Sequence, residues 1–345
     1  MAPWKIDKEV DYEIFELGDL KLQKGMTLPN AKLAYKTFGR LNADKSNVIV
    51  LLTYMASTHY DNQWVIREGG ALDPSKYFIV IPNIFGNGLS SSPTNTPPPY
   101  NKARFPHVTY YDNIKAQHRL LTEKFGITKI KMVTGWSMAA AQTFHWAALY
   151  PDMVETICPT AGSAKTAKHN HVMLEGVKAA LTADDAFKDG WYDEQPFKGL
   201  RAMGRVYAGW GFSQEFFRKE EYLELGYASV EDFIVGYWEQ WFNLRDANNM
   251  VTMIRTWQSG DISDNELYNG DFRKALAAIK ARAIVMPGDC DLYFPPEDSA
   301  FEVEHMPNAE LRPFRSSHGH FAGGSGLRKA DVKFLDEAWR ELLGA

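Results

Sequence analysis

The stretch "KIKMVTGWSMAAAQTFHWAALYPDMV", Lys129 to Val154, sets an apolar run against an alanine-rich one, with a serine at the join. Ile130 to Gly135 reads as a short strand, and Ala139 to Tyr150 as a helix that stops before Pro151. Ser137 stands between them, with Gly135 two residues before it and Ala139 two residues after. A strand that turns sharply into a helix through a serine exposes the hydroxyl at the helix N-terminus. There the amide of Met138 is free and the helix dipole favours negative charge. Small flanking residues let strand and helix approach closely, so Ala139 can stand where the best-known motif of this shape has glycine. A G-x-S-x-A spacing alone is a weak signal, and a buried turn serine is its bland alternative; the setting after an apolar strand and before an apolar helix strengthens it.

Working outward, similar runs recur: "AKLAYKTFG" (Ala31 to Gly39), "NVIVLLTYM" (Asn47 to Met55), "YFIVIPNIF" (Tyr77 to Phe85), "ETICPTA" (Glu155 to Ala161), "ARAIVMPG" (Ala281 to Gly288) and "AELRPFRS" (Ala309 to Ser316). Further helices are expected at Asp112 to Phe125, with Asp112 as its cap, and at Ala330 to Leu343. Apolar strands alternating with amphipathic helices predict an α/β fold, a mostly parallel sheet with helices on both faces. The pattern breaks between about Ala183 and Asn265, where the text becomes helical in period and crowded with Trp, Tyr and Phe. This predicts an inserted helical cap, giving a core of residues 1–182 and 266–345 and a cap of residues 183–265. Most aromatics in such a segment pack helices together, yet as a group they predict a largely apolar pocket beneath it.

Composition narrows the function. The 345 residues suffice for one large core with one excursion, and the formal charge of -5 is spread without a basic run. No nucleic acid or anionic lipid is therefore expected as a partner. Two cysteines, Cys158 and Cys290, sit in or beside apolar segments and read as reduced thiols. The N-terminal text lacks an apolar targeting core and no run approaches a membrane span, so a cytoplasmic protein is expected. The nine histidines lack H-E-x-x-H spacing, and "GNGLSSSP" (Gly86 to Pro93) is not followed by G-K-[ST]. No metal and no cofactor is expected.

A serine hydroxyl needs a base, a group to orient that base, and donors for an oxyanion. Asp289 and Asp291 follow the strand "ARAIVMPG", and His318 and His320 follow "AELRPFRS" in a glycine-rich loop. Each alone is ordinary. Ser, then Asp, then His on loops at the carboxyl ends of strands is the order a serine triad takes in this kind of sheet.

At this point the chain resembles the homoserine O-acetyltransferase group of the α/β-hydrolase fold over nearly its whole length. The matching blocks are "ALDPSKYFIVIPNIFGNGLSSSP" (Ala71 to Pro93), "FPHVTYYDNIKAQHRLLTEKFGI" (Phe105 to Ile127), "GWSMAAAQTFHWAALYP" (Gly135 to Pro151), "LTADDAFKDGWY" (Leu181 to Tyr192) and "DLYFPPE" (Asp291 to Glu297). The resemblance implies Ser137 as nucleophile, Asp291 as triad acid and His320 as base, with Asp289 and His318 as second choices. It implies an oxyanion hole from the amides of Met55 and Met138, and it allows a homodimer. Two departures bear on substrate. Where the acetyltransferases carry an ammonium-binding aspartate after the histidine, this chain has Phe321; where they carry a cap arginine for the substrate carboxylate, it has Gly204, with Arg205 one place on. A one-residue shift turns a helical side chain by ~100°.

The leading expectation is accordingly a serine-nucleophile, esterase-like acyl hydrolase taking an apolar small-molecule ester, with Phe321, Trp210, Phe212 and Arg205 as candidate substrate-contacting residues. The alternatives are an O-acyltransferase from acyl-CoA to an alcohol and a non-catalytic binding protein on the same fold.

Overall fold

The computed structural model describes residues 10–344. Eight strands form one sheet: β1 (Glu13–Lys21), β2 (Thr27–Phe38), β3 (Val48–Leu51), β4 (Phe78–Pro82), β5 (Ile130–Trp136), β6 (Val154–Thr160), β7 (Arg282–Val285) and β8 (Ala309–Leu311). Their order is β1-β2-β4-β3-β5-β6-β7-β8. β1 and β2 pair antiparallel, β2 joins β4 antiparallel, and the remaining six run parallel. The sequence-expected runs at Asn47, Ala281 and Ala309 are trimmed to their hydrogen-bonded parts. β1 was not foreseen: as an edge strand it buries only Leu17 completely, so its acidic text hides the alternation.

The central parallel strands β3 and β4 are apolar throughout because successive residues serve opposite, equally covered faces. Val48 and Val50 point into a core with Phe144 and Trp146 of the helix Met138–Leu149, while Ile49 and Leu51 point into a second core with Trp339 and Leu342 of the helix Lys329–Leu343. Each fully buried Val, Leu, Ile or Phe side chain contributes about 1.5–3 kcal/mol relative to exposure. The helix expected from Asp112 begins earlier, at Tyr110, and runs to Arg119 before a wide turn over Leu120–Lys124. Its N-cap is Thr109, not Asp112; Asp112 is the third residue, and its Oδ2 accepts from the Thr109 amide at 2.8 Å in a capping box.

Between β6 and β7 the chain leaves the sheet and forms helices that include Lys168–Thr182, Phe197–Gly211 and Ala247–Gln258. Their aromatics build a third core. Tyr207, Phe212, Phe216, Phe233 and Trp238 pack there with Met55 of the loop after β3 and with Tyr110 and Met138 at the starts of two helices of the sheet domain. The helix Lys168–Thr182, written into the core half by the sequence boundary at 182, packs along Phe197–Gly211. Among the described residues no helix is long and apolar enough to cross a membrane, and both cysteines are unpaired.

Candidate active site

β5 ends at Trp136 and the next helix starts at Met138, so Ser137 carries the whole turn with φ 62° and ψ -127°. A non-glycine residue held there costs of order 1–3 kcal/mol, a strain that concentrates at functional positions. Packing of the neighbours maintains it. A Cβ on Gly135 would lie 2.4 Å from Cβ of Ala139, and one on Gly162 would lie 2.5 Å from Cβ of Ala140 and 2.6 Å from the Ser137 carbonyl oxygen. Ala139 is thus accommodated because Gly135, facing it, has no side chain. The Ser137 amide donates to the Thr160 carbonyl at 2.9 Å, which ties the turn to β6.

Asp291 follows β7 and His320 follows β8, and both are almost fully buried beside Ser137. Ser137 Oγ lies 2.9 Å from His320 Nε2, and His320 Nδ1 lies 2.8 Å from Asp291 Oδ2. The other carboxylate oxygen of Asp291 accepts from the amides of Tyr293 at 2.7 Å and Phe294 at 3.2 Å. Both oxygens therefore have work, which fixes the carboxylate plane. The imidazole lies between aromatic rings, with centroids 4.7 Å from Trp136 and 4.3 Å from Tyr293. Trp136 also donates its indole N–H to the His320 carbonyl at 2.8 Å. Asp289 and His318, the second choices, lie apart from this relay. Asp289 Oδ1 accepts from the Ser316 amide at 3.3 Å, and His318 turns toward Glu221.

Met138 opens the helix after Ser137, and Met55 sits in the loop after β3 bordering the same cavity. Neither amide has a hydrogen-bond acceptor among the described residues. The Met55 sulfur accepts from the Tyr207 hydroxyl at 3.0 Å, so a cap residue fastens this loop.

The cavity above Ser137 holds about 240 Å³ and is walled by Tyr54, Trp136, Tyr237, Trp238, Tyr293 and Phe321, among others. Burial pushes the phenols of Tyr54, Tyr237 and Tyr293 upward, so all three stay neutral hydroxyls at any working pH. Asp61 also lines the cavity. Its Oδ2 accepts from the amide and hydroxyl of Thr58, and its Oδ1 lies 4.0 Å from Arg245, which in turn sits over the Trp241 ring at 4.9 Å. This carboxylate gave no sign in the sequence, where it reads as a helix-start acid.

Of the four candidate substrate-contacting residues, only Phe321 borders the cavity. Phe212 lies behind it, stacked at 4.6 Å and 7°, and supports the wall without reaching the lumen. Trp210 packs near His169, on another side of its helix. Arg205 faces out and pairs with Glu231 and Glu239. The position aligned with the family's arginine, Gly204, points into the cap. A Cβ there would meet the Trp238 carbonyl oxygen at 3.0 Å and the Phe242 ring at 3.2 Å, a tight fit inside the cap. The expected ~100° rotation is the physical reason for Arg205's placement.

Residues 48–322 match the model of the alpha/beta hydrolase fold family. The chain belongs to the α/β-hydrolase fold family. It is 40% identical over 94% of its length to an ethyl acetate hydrolase of Pseudomonas veronii, covering 93% of that protein. It superposes on the solved acetyl esterase MekB with a TM-score of 0.94 at 39% identity, covering 97% of each chain. A homoserine O-acetyltransferase of Chlorobaculum parvum is 30% identical over 87% of both chains. This α/β hydrolase is thus an esterase-like enzyme, with the acetyltransferases as more distant kin of the same family.

Proposed function

We propose that the enzyme hydrolyses short, neutral acyl esters, acetyl esters foremost, through an acyl-enzyme on Ser137. The observation that carries this reading is the continuous Asp291–His320–Ser137 relay opening into an aromatic cavity of about 240 Å³. His320 Nε2 takes the Ser137 proton as Oγ adds to the ester carbonyl, and the amides of Met55 and Met138 receive the oxyanion. Collapse expels the alcohol, which leaves with the proton from His320. Water then repeats the sequence, releasing the acid and restoring Ser137. Asp291 stabilises the imidazolium and keeps the proton on Nδ1.

Similarity to an ethyl acetate hydrolase and to an acetyl esterase supports an acetyl group, and so does the cavity. Its volume is below the ~300–1,000 Å³ of pockets that bury drug-sized ligands, and its bulky walls resist expansion. With p-nitrophenyl esters, kcat/KM is expected to fall by about 100-fold or more between acetate and decanoate, since each surplus methylene must displace packed aromatics. A flat chain-length profile in a steady-state assay would refute the short-acyl assignment. The same proposal treats residues 183–265 as a cap over a core of residues 1–182 and 266–345, with the preceding helix Lys168–Thr182 as its support.

Phe321 distinguishes this reading from acetyl transfer to homoserine. A phenyl face returns ~1–2 kcal/mol to a buried ammonium, less than a charged hydrogen bond in a dry pocket. Homoserine is therefore expected to be a negligible acceptor, with acetyl-CoA consumption unchanged by its addition. Phe321→Asp is expected to lower kcat/KM for neutral acetyl esters by about tenfold or more, because it removes a ring stacked on Phe212 and places a charge in an apolar wall. Efficient homoserine acetylation by the unmodified enzyme would favour the acyltransferase instead.

A further inference from the structure

The three residues before His320 run between the cap and the loop after β7, where the Gly319 carbonyl lies against Gly288. The Ser317 carbonyl accepts from Ser213 Oγ at 2.6 Å, and Ser317 Oγ donates to Glu221 Oε2 at 2.6 Å. His318 Nε2 stands 3.6 Å from that same carboxylate oxygen, beyond hydrogen-bond length, with its ring edge-on to Phe212 and Phe216. Gly319, at φ 58°, passes so near the cap that a Cβ would lie 2.9 Å from the Ser213 amide nitrogen and 3.1 Å from the Gly211 carbonyl oxygen. Beyond His320, Phe321 stacks on Phe212.

From the core side the same histidine has two other attachments, Asp291 at the ring and the Trp136 indole at the carbonyl. The core thus orients the ring and holds the carbonyl of His320, while the backbone just before it is also held by the cap segment 211–222. Glu221 is the charged member of that hold. Its side chain is mostly covered, and the preceding Glu220 adopts a left-handed conformation, φ 55°, that turns Glu221 onto the loop. A charge-assisted O–H···O⁻ bond in such cover is short and strong, which suits a group that must define a distance.

We propose that Glu221 is a positioning residue for His320: its bond to Ser317 holds the base loop on the cap and so sets the His320–Ser137 separation. The cap then does more than wall the cavity, because the base is in register only while segment 211–222 is seated. This inference rests on the reading of His320 as the base. A misplacement of about 1 Å at the reacting groups can cost of order 100-fold in rate.

The test is steady-state hydrolysis of p-nitrophenyl acetate by Glu221→Ala, Glu221→Gln, Ser317→Ala and the Glu221→Ala/Ser317→Ala pair, with fluorophosphonate titration counting folded sites. Glu215→Gln, which breaks an exposed pair with Lys219 on the same cap segment, is the control. Expected is a drop in kcat of about 10- to 100-fold for Glu221→Ala with KM within about threefold. Recovery of most of that loss is expected in Glu221→Gln, whose amide oxygen still accepts from Ser317, and the double variant should be no worse than the worse single one. If Glu221→Ala does not fold, Ser317→Ala carries the same expectation. Wild-type kcat per titrated site in Glu221→Ala and Ser317→Ala, alongside loss of turnover in His320→Ala, overturns this inference alone. Turnover that survives His320→Ala overturns the triad reading and this inference with it.

Discussion

Ser137→Ala is expected to lower kcat for acetyl esters by about 10⁴-fold or more and to abolish covalent labelling by a fluorophosphonate. Oγ is the atom to which the His320 Nε2 contact of 2.9 Å is made, and no neighbouring hydroxyl or thiol shares that contact. The members of such a relay act as a unit, so removing one leaves only what binding and oxyanion donors supply. Alanine at this position keeps the same positive φ and a similar fit against Gly162, so the thermal midpoint should move little. Labelling that persists in the alanine variant would remove Ser137 from the nucleophile's role.

Asp291→Asn and His320→Ala are expected to cost kcat about 10³- to 10⁴-fold each. Asp291 serves two masters: one oxygen takes the His320 Nδ1–H, the other the amides of Tyr293 and Phe294. Asparagine has a single acceptor oxygen. If that oxygen stays with the two backbone amides, its NH₂ faces Nδ1 and favours the tautomer in which Nε2 carries the proton, which cannot accept one from serine. Asp289→Asn should cost far less, because its carboxylate accepts from the Ser316 amide at the loop's rim and makes no contact with His320 among the described residues. His318→Ala should also fall well short of His320→Ala, since its ring is packed against cap phenylalanines away from Ser137. A larger loss at Asp289 or His318 than at Asp291 or His320, measured on the same ester, would show the relay to be wired differently.

The elbow was legible because its causes are local. An apolar run ending in Gly135, then Ser137, then Met138 and three alanines from Ala139 stand in one short stretch, and each constrains backbone within hydrogen-bonding or van der Waals reach of its sequence neighbours. The Ser, Asp, His order was legible for a related reason: each residue lies in the segment that follows a parallel strand, and parallel strands bring their carboxyl ends to one edge. Where local signals were weak, boundaries moved. Thr109, not Asp112, caps its helix: both residues are good N-caps as text, and each side chain here accepts from the other's backbone amide, so only the backbone shows that the helix starts between them. β1 escaped notice because an edge strand needs little burial to pair.

What the sequence by itself determined was the sheet, the elbow at Ser137 and the identity of the groups available for acyl chemistry. Only the tertiary structure decided which of many cap aromatics face the ester. Trp210 and Phe212 look like Tyr237 and Trp238 in composition and spacing, yet the first pair turns away from the lumen and the second forms its wall. That choice depends on how short helices rotate against one another. Rotation is set by contacts between residues far apart in the chain, such as Gly211 against Trp238, where a Cβ would lie 2.4 Å from the indole. The same holds for Asp61, for Glu221 and for Arg205 turned outward to Glu231. A side chain's chemistry is written at its own position, whereas its direction is the sum of distant packing constraints.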